Sequence, residues 1–165
     1  MKFPDVTLII TATITALMRV TSGNFFSYSI SVSLGLGKLA DKEFLGAMQN
    51  INREVQNPLF FVCFFGTLIM LPITSFLNYN QHSFVFLFLA TLFYLFGVFL
   101  VTIFGNIALN NKLEIFDISK ATETTAKHMR NTFENSWNFW NKIRTFAYLS
   151  SIFCLILDCV FNKAN

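Results

Sequence analysis

A chain of 165 residues has room for one domain, and this one is 54% hydrophobic and only 13% charged, with 22 phenylalanines. So little charge excludes a water-soluble globule of this size, and a chain surrounded by lipid has no need of more. The net charge of +3 has no dense basic stripe, which argues against a nucleic-acid partner.

The first apolar run predicts a membrane helix over about residues 5–22, with Pro4 and Asp5 at its start and Arg19 near its end. No small-x-small cleavage site leads into a polar segment, so the run reads as a retained helix rather than a signal peptide. In the stretch 25–36, serines at 27, 29, 31 and 33 alternate with larger residues in a strand-like pattern. An isolated strand leaves its backbone unpaired in lipid, so the stretch is either a continuation of the first helix or a re-entrant segment.

Residues 38–58 are polar and compatible with a helix up to Pro58. The run 59–77 is the second span; at ~1.5 Å per residue it covers about 28 Å, close to a hydrocarbon core. Pro72 lies inside it, which membrane helices tolerate. A short turn at 78–82 contains His82, and the third span runs over 83–109. The polar region 110–144 holds a further helix, from about 119 to 144, and 145–161 is the fourth span. The expected fold is therefore all-α: a single domain over 1–165 forming an integral membrane four-helix bundle, with an additional cytoplasmic-side helix before spans 2 and 4.

Charge sets the orientation. With four crossings, one side carries nine positive residues: Lys38, Lys42, Arg53, Lys112, Lys120, Lys127, Arg130, Lys142 and Arg144. The other carries Lys2 and Lys163. The positive-inside rule then places both large loops in the cytoplasm and both termini outside, in a multi-pass protein of the cell membrane. Arg19 and Asp158 fall near opposite faces in this topology. They are expected to be interfacial rather than paired.

Three clusters put polar groups on one helical face near the cytoplasmic ends of the spans. The first is Gln49, Asn52 and Arg53; the second is Asn106 and Asn110, one turn apart; the third is Trp137, Trp140, Asn141 and Arg144, with Thr145 following. Each has an ordinary explanation as helix caps, interhelical hydrogen bonds or headgroup anchors. If the three faces converge, Arg53 or Arg144 neutralises a bound phenolate, enolate or lipid headgroup, the amides orient it, and the tryptophans stack on a flat ring. Of the two histidines, His128 is the one placed to serve as a base. Metal and cofactor motifs are missing. Cys63, Cys154 and Cys159 lie in apolar runs without zinc spacing, and there is no HExxH, Gly-rich phosphate loop or haem-type histidine pair. No cofactor and no metal are expected.

The ordered trio MQNINREVQNPLF, GNIALNNKLE and WNFWNKIRT resembles the anthrone oxygenase-like family of small membrane proteins, over roughly residues 20–160. Gln49, Asn52, Arg53, Pro58, Asn106, Asn110, Trp137, Asn141, Arg144 and Thr145 match its shared pattern. Gly23 and Phe26 match as well, whereas Ser33-Leu34-Gly35-Leu36 lacks the family's proline and Ala108 replaces another. The resemblance implies four membrane helices. It also implies, from the fungal members, oxidation of anthrones to anthraquinones by molecular oxygen without an evident cofactor. Under that implication Arg53 or Arg144 stabilises the anion and His128 is the base.

Two readings follow. One is a binding or structural membrane protein, holding a planar phenolic, quinone-like or lipid ligand or serving as a subunit of a larger complex. The other is a cofactor-independent oxygenase of enolisable aromatic compounds. Expected partners are the lipid bilayer, a hydrophobic small molecule, and a second copy or another membrane protein.

Overall fold

The computed structural model describes residues 6–81 and 83–162; the expected helix start at Pro4 and Asp5, the charges at Lys2 and Lys163, and His82 lie outside the described residues. All the described regular structure is helical, in five helices. Helix α1 runs through Val6–Ser27, widens into a π-helical turn at Tyr28–Val32 and closes with Ser33–Leu36. The strand-like serine alternation is thus a continuation of the first helix. The serine hydroxyls turn inward to their own backbone, Ser29 donating to the Phe25 carbonyl at 3.0 Å and Ser33 to that of Ser29 at 3.3 Å.

Helix α2, Asp41–Glu54, begins where the Glu43 carboxylate accepts from the Ala40 amide at 3.1 Å, with Asp41 and Glu43 both at the positive end of the helix. Helix α3, Pro58–Leu77, has Pro58 in its first turn and Asn57 as its cap, whose side chain accepts from the Phe60 amide at 3.0 Å. Helix α4, Phe84–Glu114, carries π-helical turns at Phe93–Leu100 and Thr102–Ile107. Helix α5, Glu123–Asn162, is 40 residues long. The sequence divides this last stretch at 144/145 where polarity changes. With no Gly or Pro between 123 and 162, nothing stops the helix there, so it spans about 60 Å unbroken.

Three of these helices, α3, α4 and α5, are long and apolar enough to cross a membrane. Their outward faces confirm the solvent they suit. Phe61, Phe65, Ile69, Ile73 and Phe76 of α3, Phe88, Phe96 and Phe104 of α4, and Phe146, Phe153 and Val160 of α5 are all exposed. Water would penalise such a surface, and lipid does not. The chain is a multi-pass membrane protein.

Helix α1 packs on α3 and α5, and α4 packs on the same two. Inside this ring lies one core, built around Met18, Phe64, Leu71, Leu87, Tyr94, Val98, Tyr148 and Leu155. A second core, with Tyr28, Phe44, Leu45, Met48, Leu113, Ala126, Phe133 and Trp137, sits beyond it where α2 covers the ends of α1, α4 and α5. The α4–α5 contact is close because small residues face it: a Cβ on Gly97 would collide with the Ala147 methyl, and one on Gly105 would lie 2.8 Å from the Trp140 ring.

Arg19 is exposed on α1. Asp158, expected at the membrane interface, lies four residues before the end of α5 and is 1% exposed, turned into the bundle. It lies near the Thr11 and Ser83 hydroxyls, and neither carboxylate oxygen has a hydrogen bond of good geometry.

Candidate functional site

Between the two cores a cluster of polar groups interrupts the apolar packing. At its centre is Arg144, only 4% exposed. Its guanidinium carbon stands 4.2 Å above the Phe25 ring and 5.5 Å from that of Trp137, so aromatic faces on α1 and α5 stabilise the charge. Nη2 donates to Asn141 Oδ1 at 3.0 Å and Nη1 to Thr102 Oγ1 at 3.4 Å, while Nε has no acceptor. No carboxylate among the described residues pairs with it.

The neighbours fix this geometry. Asn141 donates from Nδ2 to Ser29 Oγ at 2.9 Å and to the Phe25 carbonyl at 3.4 Å, tying α5 to α1. Asn110 Oδ1 accepts from the Trp137 indole nitrogen at 2.8 Å, tying α5 to α4. Asn106 Nδ2 lies 3.5 Å from the Trp137 carbonyl, and its Oδ1 is buried without a donor. Tyr28 packs on Trp137 with ring centroids 4.4 Å apart. The π-helical turns of α1 and α4 include Ser29 and Asn106, so both helices widen beside the cluster, a placement common where helices serve a site. One turn along α5 from Arg144 lies Tyr148, fully buried, its hydroxyl near those of Thr21 and Tyr94 but without a hydrogen bond of good geometry.

Of the three polar faces expected to converge, those of α4 and α5 meet here. The face of α2 turns elsewhere. Gln49 donates to the carbonyls of Leu113 at 2.8 Å and Phe116 at 3.1 Å, capping the end of α4. Arg53 is exposed and ion-paired to Glu114, Nη2 to Oε1 at 2.7 Å; that hydrogen-bonded partner raises the Arg53 pKa above its ordinary value. Asn52 is buried on the inner side of α2 with its amide nitrogen unpartnered. Trp140 covers Gly105, and the Thr145 hydroxyl donates to the Asn141 carbonyl at 2.8 Å. His128 is exposed and lines a separate shallow hollow of about 440 Å³ with Phe116, Thr124, Thr125, Met129 and Thr132. Sixteen residues of helix place it about 24 Å from Arg144.

Phe25, Ser29, Tyr28, Thr102 and Tyr148 belong to the cluster without having been singled out in the sequence. Thr102 had a signal: it lies one turn before Asn106, on the face shared with Asn110. Phe25, Ser29 and Tyr28 had none, because only the crossing of α1 over α5 brings them in.

Chemically, the arrangement is a fixed cation between aromatic faces with neutral amides around it.

None of the curated proteins or solved structures compared with the chain matches it. The anthrone oxygenase family model matches residues 58–154, which include α3, α4 and the α5 face bearing Trp137, Asn141 and Arg144. More than half of the sequence is covered. The chain belongs to the anthrone oxygenase family.

Proposed function

We propose that the protein is a cofactor-independent oxygenase of planar, enolisable phenols of the anthrone type, working within a bundle of four membrane crossings of which α1 is the fourth. The observation that carries this reading is the buried Arg144, unpaired with any carboxylate among the described residues and lying between the Phe25 and Trp137 rings. Membership in the anthrone oxygenase family supports this choice of substrate class. The positive-inside rule puts the α2 end of the bundle in the cytoplasm.

Arg144 supplies the step that the chemistry needs most. An anthrone reacts with oxygen only as its enolate, and a cation fixed in a low-dielectric site favours the enolate over the keto form. The ring-methylene proton leaves, and the negative charge settles on oxygen opposite the guanidinium. The enolate carbon then joins molecular oxygen, the peroxide anion so formed takes back a proton, and the hydroperoxide loses water as a second carbonyl forms. One anthrone and one oxygen molecule give one anthraquinone and one water. Asn141 and Thr102 hold the guanidinium in place, and Trp137 offers the flat face. The buried Tyr148 hydroxyl is the protonatable group one turn away on the same helix, and in this reading it passes the proton on. Arg53 and His128 stand outside the reacting centre.

The test is oxygen consumption by the detergent-purified protein with an anthrone, under ¹⁸O₂. One labelled carbonyl per quinone and one oxygen per turnover support the oxygenase. Saturable binding without oxygen uptake favours instead a binding protein for planar phenols.

A further inference from the structure

A second site lies beside this cluster, where α1 meets α5. A groove of about 510 Å³ opens there, lined by Ser29, Ser33, Leu34 and Lys38 from α1 and its end, and by Glu134, Asn138, Asn141 and Lys142 from α5. Its volume falls in the range of small-molecule sites.

The charges around it are unbalanced. Lys38 and Lys142 are exposed, and neither pairs with a carboxylate among the described residues. Glu134 is already engaged by Arg130 at 2.8 Å, and Arg130 also holds Asp41 at 3.0 Å. Behind the floor residue Asn141 lies the Arg144 guanidinium, 3.0 Å from its amide oxygen. Counting all six charged groups, positive charge is in excess by two. The Asn138 side chain adds an amide with no hydrogen-bond partner among the described residues. One wall is apolar and continues outward: Leu34 is 67% exposed, and Ile30, one turn before it, 55%.

Position decides what such a groove meets. Lys38 follows the end of α1, and Lys142 precedes the apolar run of α5 by three residues, so both ammonium groups sit where hydrocarbon gives way to headgroups. We propose that the groove binds the phosphodiester headgroup of an anionic membrane lipid, with Lys38, Lys142 and Asn138 on the phosphate and an acyl chain along Ile30 and Leu34. The bound phosphate balances the charge of Lys38 and Lys142, which no carboxylate among the described residues pairs with. The site shares Ser29 and Asn141 with the cluster, but Lys38, Lys142, Asn138 and the apolar wall take no part in the reaction, so its test does not depend on the oxygenase reading.

The test is native mass spectrometry of the delipidated, detergent-purified chain titrated with phosphatidylglycerol or with phosphatidylcholine of the same acyl chains. The expected result is retention of phosphatidylglycerol and not of phosphatidylcholine, weakened about tenfold or more in K38Q/K142Q. Both lysines are exposed and unpaired, so the double variant is expected to keep its helical circular dichroism. Asn138→Asp, which places a carboxylate in the groove, should weaken retention in the same sense. A K112Q/K120Q control should not. Equal retention of the two lipids, or unchanged retention in K38Q/K142Q, overturns the proposal. Displacement of the lipid by millimolar inorganic phosphate overturns it too, by assigning the groove to a soluble phosphate.

Discussion

Arg144 donates from Nη2 to Asn141 Oδ1 at 3.0 Å, and Asn141 donates from Nδ2 to Ser29 Oγ at 2.9 Å, so a neutral amide joins the buried cation of α5 to α1. A carboxylate in place of that amide would have cancelled the charge. The amide orients the guanidinium and leaves its charge available.

A buried cation without a counter-ion is a cost to the folded state. Arg144→Met keeps the length and apolar stem of the side chain while removing the charge. Replacing buried ionic groups with apolar ones of similar size is often neutral or stabilising. The expected result is an unchanged Tm in detergent or a rise of about 2–4 °C, corresponding to roughly 1 kcal/mol, together with loss of anion binding. A Tm lowered by several degrees would show that Arg144 serves mainly to hold the helices together.

Asn141→Asp tests the same charge from the other side. The new carboxylate lies within hydrogen-bond reach of Nη2 and forms an internal ion pair. The folded state is expected to tolerate it, because the pair is formed in place. Affinity for a phenolate inhibitor should fall about tenfold or more, since the site then carries its own anion. Isothermal titration in detergent reads this out, and an undiminished affinity would place the ligand away from Arg144.

Gly105→Ala probes the α4–α5 seam. The added Cβ would lie 2.8 Å from Trp140 Cγ and 2.9 Å from Cδ2. A rigid indole yields only by moving as a whole, so a loss of about 1–3 kcal/mol is expected, measurable as a lower Tm. Trp140 fluorescence should shift in the same variant, because its ring must leave the α4 backbone.

Gln49→Ala removes two hydrogen bonds that reach the Leu113 and Phe116 carbonyls at the end of α4. The expected loss is about 1–2 kcal/mol. Faster amide exchange should be confined to residues 111–118 and the facing turn of α2. A variant with wild-type exchange there would mean that α2 is held by its apolar face alone.

Much of this was legible from residue patterns, and particular residues show where legibility ended. Trp137, Asn141 and Arg144 fall at i, i+4 and i+7, and that spacing on α5 is what carries them to one face. Asn106 and Asn110 meet them for the same reason on α4. Spacing along one helix does not say which neighbour the face meets. Gln49 and Arg53 follow the same rule on α2 yet turn to the end of α4, where the carbonyls of Leu113 and Phe116 and the Glu114 carboxylate draw them. His128 stood out by chemical type, which carries no information about direction. The change from polar to apolar sequence at 144/145 reflects the surroundings of α5 rather than an end of the helix. Serines 27 to 33 alternate like a strand, but hydroxyls that can bond back to the preceding turn are compatible with a helix.

The central claim is that the Arg144 cage stabilises an aromatic enolate for attack on oxygen. Its most direct test is initial oxygen uptake with an anthrone in a closed chamber, comparing the parent with Arg144→Gln, Arg53→Gln and His128→Ala, all confirmed folded. The account predicts a loss of at least about a hundredfold for Arg144→Gln, of the order seen when a fixed charge-stabilising donor is removed, and near-parent rates for the other two. Undiminished uptake in Arg144→Gln, or uptake abolished by Arg53→Gln or His128→Ala instead, would contradict it.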